Sequence, residues 1–209
     1  VRTLHGLAHD IVRERPDLVG LGNDFEIIDE RETNQILESS VESWLKRNPN
    51  FINQWGKPNY YNNEKKSPNS DWHTALVSVC NGFIRTAKDL QFSPGDIYSK
   101  LSDFKINDSL LNLGVEVYED YQRVLNYRSA VDFDDLIRLA LMALQIDSEF
   151  LTRLQFQWPF ILEDEAQDSS LLQEEMLSLL TGISGNWVRV GDPNQAINES
   201  FTTANPQLL

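Results

Sequence analysis

The stretch Pro159-Phe160-Ile161-Leu162-Glu163-Asp164-Glu165 decides how this chain is read. A short apolar run ends in three carboxylates. The run is too short for a free-standing helix and predicts a buried strand. Beyond it, Asp168 or Ser169 is placed to cap a helix through Leu180, carrying Leu171, Leu172, Met176, Leu179 and Leu180. Trp187-Val188-Arg189-Val190 predicts a second short strand, closed by Gly191-Asp192-Pro193. Strand, helix and strand within about 30 residues predict a right-handed βαβ unit of a parallel sheet. Ligands of such sheets gather at the carboxyl ends of the strands, and both the acidic run and Gly191-Asp192 fall there.

An apolar strand that ends in Asp-Glu is the Walker B arrangement of phosphate-hydrolysing motors. A rigid strand can hold one carboxylate, Asp164, on a Mg²⁺ ion, directly or through water. The next, Glu165, can polarise the attacking water as a general base. Taken alone, the pattern fits equally well a strand followed by a solvated acidic turn.

The chain has 209 residues, enough for one ordinary domain or two small ones. Its apolar fraction of 41% and charged fraction of 24% are those of a folded globular protein. The net charge of −14 excludes a grip on nucleic acid through bulk positive charge, though not a local basic groove. Charge is unevenly spread. Between Ser43 and Ser70 five bases (Lys46, Arg47, Lys57, Lys65, Lys66) face one acid, Glu64. Between Pro159 and Leu209 eight acids face one base, Arg189. The single cysteine, Cys80, excludes an intramolecular disulfide framework and a cysteine-based zinc site. It fits a reducing, cytoplasmic setting. No apolar stretch is long enough to span a membrane.

The rest of the chain reads as mostly helix. A helix is predicted from Leu4 to Arg15, ended by Pro16. Phe25–Ile28 suits a short strand. Asp29 with Glu32 three residues on predicts a capping box, and Ile36, Leu37, Val41, Trp44 and Leu45 follow at helical spacing. Residues 48–71, rich in Pro and Asn, predict an irregular loop. Helices are expected again over 72–90, 94–102, 108–127 and 132–144. Ser93-Pro94 and Asp108 serve as helix starts. Tyr118 and Tyr121 on one such helix are expected in the core. His5, His73 and Cys80 are too scattered for a metal site.

With these elements in place, Glu165-Ala166-Gln167-Asp168-Ser169-Ser170 and the later Gln173 resemble the second motif of UvrD/Rep-like superfamily 1 DNA helicases, D-E-x-Q-D with small polar residues and a Gln. Gly191-Asp192-Pro193-Asn194-Gln195-Ala196-Ile197 resembles the same family's third motif, G-D-x-x-Q-x-I. Asp132-Phe133-Asp134-Asp135-Leu136 looks like its D-F-x-D-L segment, and Thr3-Leu4-His5 like its T-x-H segment. Four landmarks in family order cover the chain from end to end.

The resemblance implies a fold: α/β, an incomplete RecA-like P-loop NTPase layer plus a mostly helical insertion. Residues 1–30 and 129–209 would belong to the layer and 31–128 to the insertion. It also implies roles. Gln195 would sense the γ-phosphate or its attacking water, a task that suits a neutral amide able both to donate and to accept. Gln167, Asp168 and Asp192 would couple the nucleotide site to neighbouring elements. Thr3 and His5 would lie by the single-stranded DNA track, and Phe201 would stack on a base. Lys65 and Lys66, in a basic loop with Trp55, Tyr60 and Tyr61, would follow phosphates. The competing reading of that loop is a surface segment whose aromatics plug the helical core. ATP and Mg²⁺ are the implied substrate and cofactor, single-stranded or partly duplex DNA the implied partner, and 3′ to 5′ the implied polarity.

The chain also departs from the family. G-x-x-x-x-G-K-[ST] occurs nowhere in it, so the phosphate-cradling loop and its Lys are not among these residues. The expectation is a central piece of a longer helicase, starting after that loop and stopping before the second RecA-like domain. By itself it would neither hydrolyse ATP nor unwind DNA. Where family members carry Tyr-Gly-aromatic-Arg, this chain has Asn198-Glu199-Ser200-Phe201-Thr202. Sheet surface left uncovered would favour self-association. Two other functions compete. Asp164, Glu165, Asp168 and Asp192 could form a two-metal phosphodiesterase site, or the chain could be a non-catalytic module that docks a partner through its helices.

Overall fold

The structure, a computed structural model, describes residues 1–51, 68–106 and 108–192. The chain divides into two compact units, Glu26–Asp132 and the combination of Val1–Phe25 with Phe133–Leu209. Most of the described residues are helical, and among them are two small parallel sheets of two strands each. Among the described residues no helix is long and apolar enough to cross a membrane.

The unit Glu26–Asp132 is a helical cluster. It comprises β1 (Glu26–Ile27), α2 (Glu30–Arg47), α3 (Pro68–Asp89), α4 (Pro94–Asp103), α5 (Ser109–Arg128) and β2 (Ala130–Val131). (The helix α1, Leu4–Glu14, belongs to the other unit.) Local chemistry sets the helix starts. Asp29 accepts from the backbone of Glu32, whose side chain accepts in return from Asp29 N, completing the capping box. Ser93 and Asp96 form a second box with Pro94 in the first turn, and Asp108 accepts from Leu110 and Leu111 N–H. The apolar stripes meet in one core. Ile36, Leu37, Val41 and Trp44 come from α2, Leu76, Cys80, Ile84 and Ala87 from α3, and Leu113, Val117, Tyr118, Tyr121 and Leu125 from α5. Each of the Leu, Ile and Val side chains among them contributes about 1.5–3 kcal/mol by leaving water. Gly114 fits closely where α3 meets α5: a Cβ there would stand 3.0 Å from the Phe83 ring, tight enough that the ring would have to give way slightly. Trp44 meets Phe51 edge-on at 4.8 Å and donates its indole N–H to Glu116.

β1 lies parallel to β2, Glu26 opposite Ala130 and Ile27 opposite Val131. Just beyond β2, Asp132 is held in the interior by the Lys88 ammonium at 2.5 Å and the Tyr121 hydroxyl at 2.6 Å. A buried ion pair survives only where hydrogen bonds of this kind answer its desolvation.

The second unit is centred on α6 (Phe133–Ile146). α6 is apolar on most sides, with Leu136, Ile137, Leu139, Ala140, Leu141, Ala143 and Leu144 all buried, as expected of a helix covered all round. α1 (Leu4–Glu14) sets Ala8, Ile11 and Val12 against it, and α7 (Ser148–Gln157) and α8 (Leu171–Thr181) cover other faces. Pro16 opens a short 3₁₀ turn that stops α1. Arg15 bridges Asp17 and Asp147, so one guanidinium ties the end of α1 to the start of α7. β3 (Ile161–Glu163) pairs parallel with β4 (Trp187–Arg189), with α8 between them in sequence.

Four expectations are corrected. The Phe160–Leu162 run is not buried: Phe160 is 72% and Leu162 79% exposed. A strand alternates its faces, and no described element covers the face that carries these two. The strand itself is displaced toward the carboxylates and ends at Glu163. The cap of α8 is Ser170, boxed with Gln173, rather than Asp168 or Ser169; those two lie in and just after a 3₁₀ turn, Ala166–Asp168. α3 starts at Pro68, inside the stretch expected as loop, because Pro is well tolerated in a first helical turn. Finally, α7 and β2 were not expected at all.

Candidate functional site

The site is built where β3 and β4 end. The backbone zips the two ends together: Val190 N donates to Glu163 O at 2.8 Å and Ala166 N to Val190 O at 3.0 Å. Asp164 and Glu165 therefore follow directly from a hydrogen-bonded strand, and both are exposed. Asp164 Oδ1 accepts from Glu165 N at 3.1 Å. Glu165 has φ 54° and ψ 39°, left-handed values that cost a non-glycine residue about 1–2 kcal/mol. Such strain persists only where the surroundings enforce it, and it concentrates at functional positions.

Gln167 supplies part of that enforcement. Its side chain is buried, donates Nε2–H to Glu165 Oε2 at 2.6 Å, and accepts from Asp192 N on Oε1 at 3.1 Å. One amide thus ties Glu165, two residues past β3, to Asp192, three residues past β4. Asp168, in the 3₁₀ turn, has an Oδ1 shut off from solvent with no hydrogen-bond partner among the described residues. Glu163 points the other way from Asp164. Its carboxylate accepts from Ser169 Oγ at 2.5 Å, Trp187 Nε1 at 3.0 Å and Arg189 Nε at 2.8 Å.

Of the residues expected at the site, Glu165, Gln167 and Asp192 are brought into one hydrogen-bonded chain, with Asp164 beside them. Gln195, Phe201, Lys65 and Lys66 lie outside the described residues. Thr3 and His5 sit at the start of α1. Thr3 caps that helix, its Oγ1 accepting from Gly6 N at 3.0 Å. His5 meets Phe133 edge-on at 5.8 Å, and burial holds its pKa below the usual imidazole range. The inward network of Glu163 with Ser169, Trp187 and Arg189 was not expected. Alternation would have found it: Glu163 shares a strand face with Ile161, opposite Phe160 and Leu162.

The donor chemistry suits one hard cation. Exposed carboxylate oxygens at a strand end match Mg²⁺, which keeps several waters and takes one or two carboxylates together with substrate phosphates. A two-metal centre fits less well: among the described residues no group of three or more His, Cys, Asp or Glu side chains could hold a metal.

Residues 1–209 match the UvrD/REP helicase N-terminal domain family. The chain belongs to that family. Among its relatives, the ATP-dependent DNA helicase PcrA of Leuconostoc citreum is 33% identical over 197 residues, 94% of this chain and 22% of the relative. The ATP-dependent DNA helicase Rep of Buchnera aphidicola is 26% identical over 207 residues, 99% of this chain and 27% of the relative. The PcrA helicase of Staphylococcus epidermidis is 25% identical over 195 residues, 93% of this chain and 23% of the relative. This UvrD/REP-type chain therefore spans about a quarter of the length of these relatives.

Proposed function

We propose that this chain serves an ATP-driven DNA helicase or translocase as the part that carries the water-activating and metal-holding carboxylates. The observation that supports this most is the Glu165–Gln167–Asp192 chain of hydrogen bonds across two parallel strand ends, in a member of the UvrD/REP family. In this reading the unit formed by residues 1–25 and 133–209 is part of a RecA-like layer, and the unit 26–132 is its helical insertion.

Asp164 would hold Mg²⁺ through an exposed oxygen; bound there, the ion supplies charge that neutralises phosphate oxygens. Glu165 accepts a proton from the attacking water, its carboxylate steered by the Gln167 amide. Gln195 reads the γ-phosphate, and Gln167, Asp168 and Asp192 pass that state toward neighbouring elements. Thr3, His5, Phe201, Lys65 and Lys66 serve the DNA track, with 3′ to 5′ polarity. Because no G-x-x-x-x-G-K-[ST] occurs within the 209 residues, turnover needs a phosphate loop that they do not supply, and the isolated chain is inactive.

The test uses the protein that carries this segment. Glu165→Gln is expected to abolish DNA-stimulated ATP hydrolysis while leaving Mg-ATP binding intact. Undiminished hydrolysis by that variant would overturn the reading. Metal-dependent turnover by the 209 residues alone, lost in Glu165→Gln, would overturn the expectation of inactivity.

A further inference from the structure

Three carboxylates stand in a row at the end of β3, and only two are exposed. Glu163 is turned inward and is almost wholly buried, as is most of Arg189. Each oxygen of Glu163 is occupied. Oε1 accepts from Ser169, which closes the 3₁₀ turn, and Oε2 accepts from Trp187 and Arg189 of β4. Arg189 also lies over the Trp187 ring at 4.7 Å and reaches Glu174 on α8 at 2.8 Å. From this one carboxylate, therefore, contacts run to β4, to the turn that carries Gln167 and Asp168, and through Arg189 to α8.

We infer that Glu163, paired with Arg189, is a positioning residue: it fixes the two strand ends and the 3₁₀ turn relative to one another, and so fixes where the Asp164 and Glu165 carboxylates stand. The inference rests on the reading of Asp164 and Glu165 given above. The physical case is one of alternatives. Among the described residues β3 and β4 form a sheet of two strands, exposed on one face, and so small a sheet is marginal in its own right. Glu165 is held in a left-handed conformation that relaxes unless its surroundings prevent it. The Gln167 bridge holds only if the two strand ends keep their spacing. Charge-assisted hydrogen bonds on both oxygens of one buried carboxylate provide that rigidity, because they are short, directional and strengthened by exclusion of water.

The experiment compares Glu163→Leu, Glu163→Gln, the double variant Glu163→Leu/Arg189→Leu and Glu165→Gln. It uses the protein that carries this segment, below its unfolding temperature, and measures kcat and KM for ATP alongside thermal unfolding. Loss of a group that orients a functional ligand typically costs 10–100-fold. Glu163→Leu is expected to lower kcat by about that factor with KM within about twofold. Glu163→Gln keeps an oxygen acceptor for Arg189 and Trp187 and recovers most of the rate. The double variant removes both charges and regains thermal stability, yet its rate stays low. If the rate returns with stability in the double variant, Glu163 is a packing element only and the inference falls. It falls too if Glu163→Leu turns over at the native rate. Should Glu163→Leu fail to fold, the double variant and Glu163→Gln decide between these outcomes. Full activity of Glu165→Gln would sink the underlying reading, whereas a dead Glu165→Gln beside an unaffected Glu163→Leu would sink this inference alone.

Discussion

Asp192 donates its backbone N–H to the side-chain carbonyl of Gln167, 25 residues earlier in sequence, linking the turns that follow the two strands. The other end of the same amide holds Glu165. Gln167→Ala removes both contacts, each worth about 0.5–1.5 kcal/mol. Gln167→Glu keeps the length but sets a second carboxylate against Glu165. Both variants are expected to lower ATP turnover in the protein that carries the segment, Gln167→Glu more than Gln167→Ala. Steady-state hydrolysis ranks them, and the reverse order would show that the donor end of the amide is unimportant.

Lys88 and Asp132 form another buried polar centre, inside the helical unit. Removing one member of a buried pair strands the charge of the other, at a cost of about 3–5 kcal/mol. Lys88→Met should lower unfolding stability by that amount in urea titration. Lys88→Met/Asp132→Asn should lose much less, since Tyr121 can still donate to the amide oxygen. Equal losses in the single and double variants would mean that the pair is not coupled.

Burial pushes the Cys80 thiol up to about 12. The folded chain therefore keeps its proton where the unfolded chain, at 9.0, has released it. The unfolded state then binds fewer protons, so this contribution to stability is intact below pH 9, declines above it and is gone near pH 12. Alkaline unfolding of Cys80→Val, with no group to ionise there, should be displaced to higher pH. A thiol reagent at neutral pH should leave folded Cys80 unmodified, because the thiolate is the reactive form.

Phe160, Leu162, Val188 and Val190 are all exposed on and beside the β3–β4 sheet. An apolar strip of this kind favours association. Sedimentation of the 209-residue chain should show mass rising with concentration. Phe160→Ser/Leu162→Thr should suppress that rise with little change in the unfolding midpoint. Unchanged association in this variant would place the contact elsewhere.

What could be read from the sequence was what depends on near neighbours. Asp29 with Glu32, Ser93 with Asp96 and Asp108 with Leu110 are contacts within one helical turn, so the residue types announce them. The same holds for Asp164 and Glu165 at the end of a strand. The helix Ser148–Gln157 escaped because only Phe150 and Leu154 of it are buried, too sparse a stripe to register; its cap, Asp147, was the available signal. β2 has two residues and exists only through its pairing with β1, roughly a hundred residues earlier, which nothing in Ala130-Val131 itself suggests. The inward turn of Glu163 depends likewise on Arg189, 26 residues on. Counting both simply as surface charge hid the contact.

The pairing of β1 with β2 has one more consequence. Backbones of neighbouring strands run about 4.8 Å apart, so the chain goes into the helical cluster at Glu26 and comes out at Asp132 through two adjacent threads. A cluster tethered this way is topologically a detour. Chain ends this close together are where a change of length in the intervening segment is best tolerated.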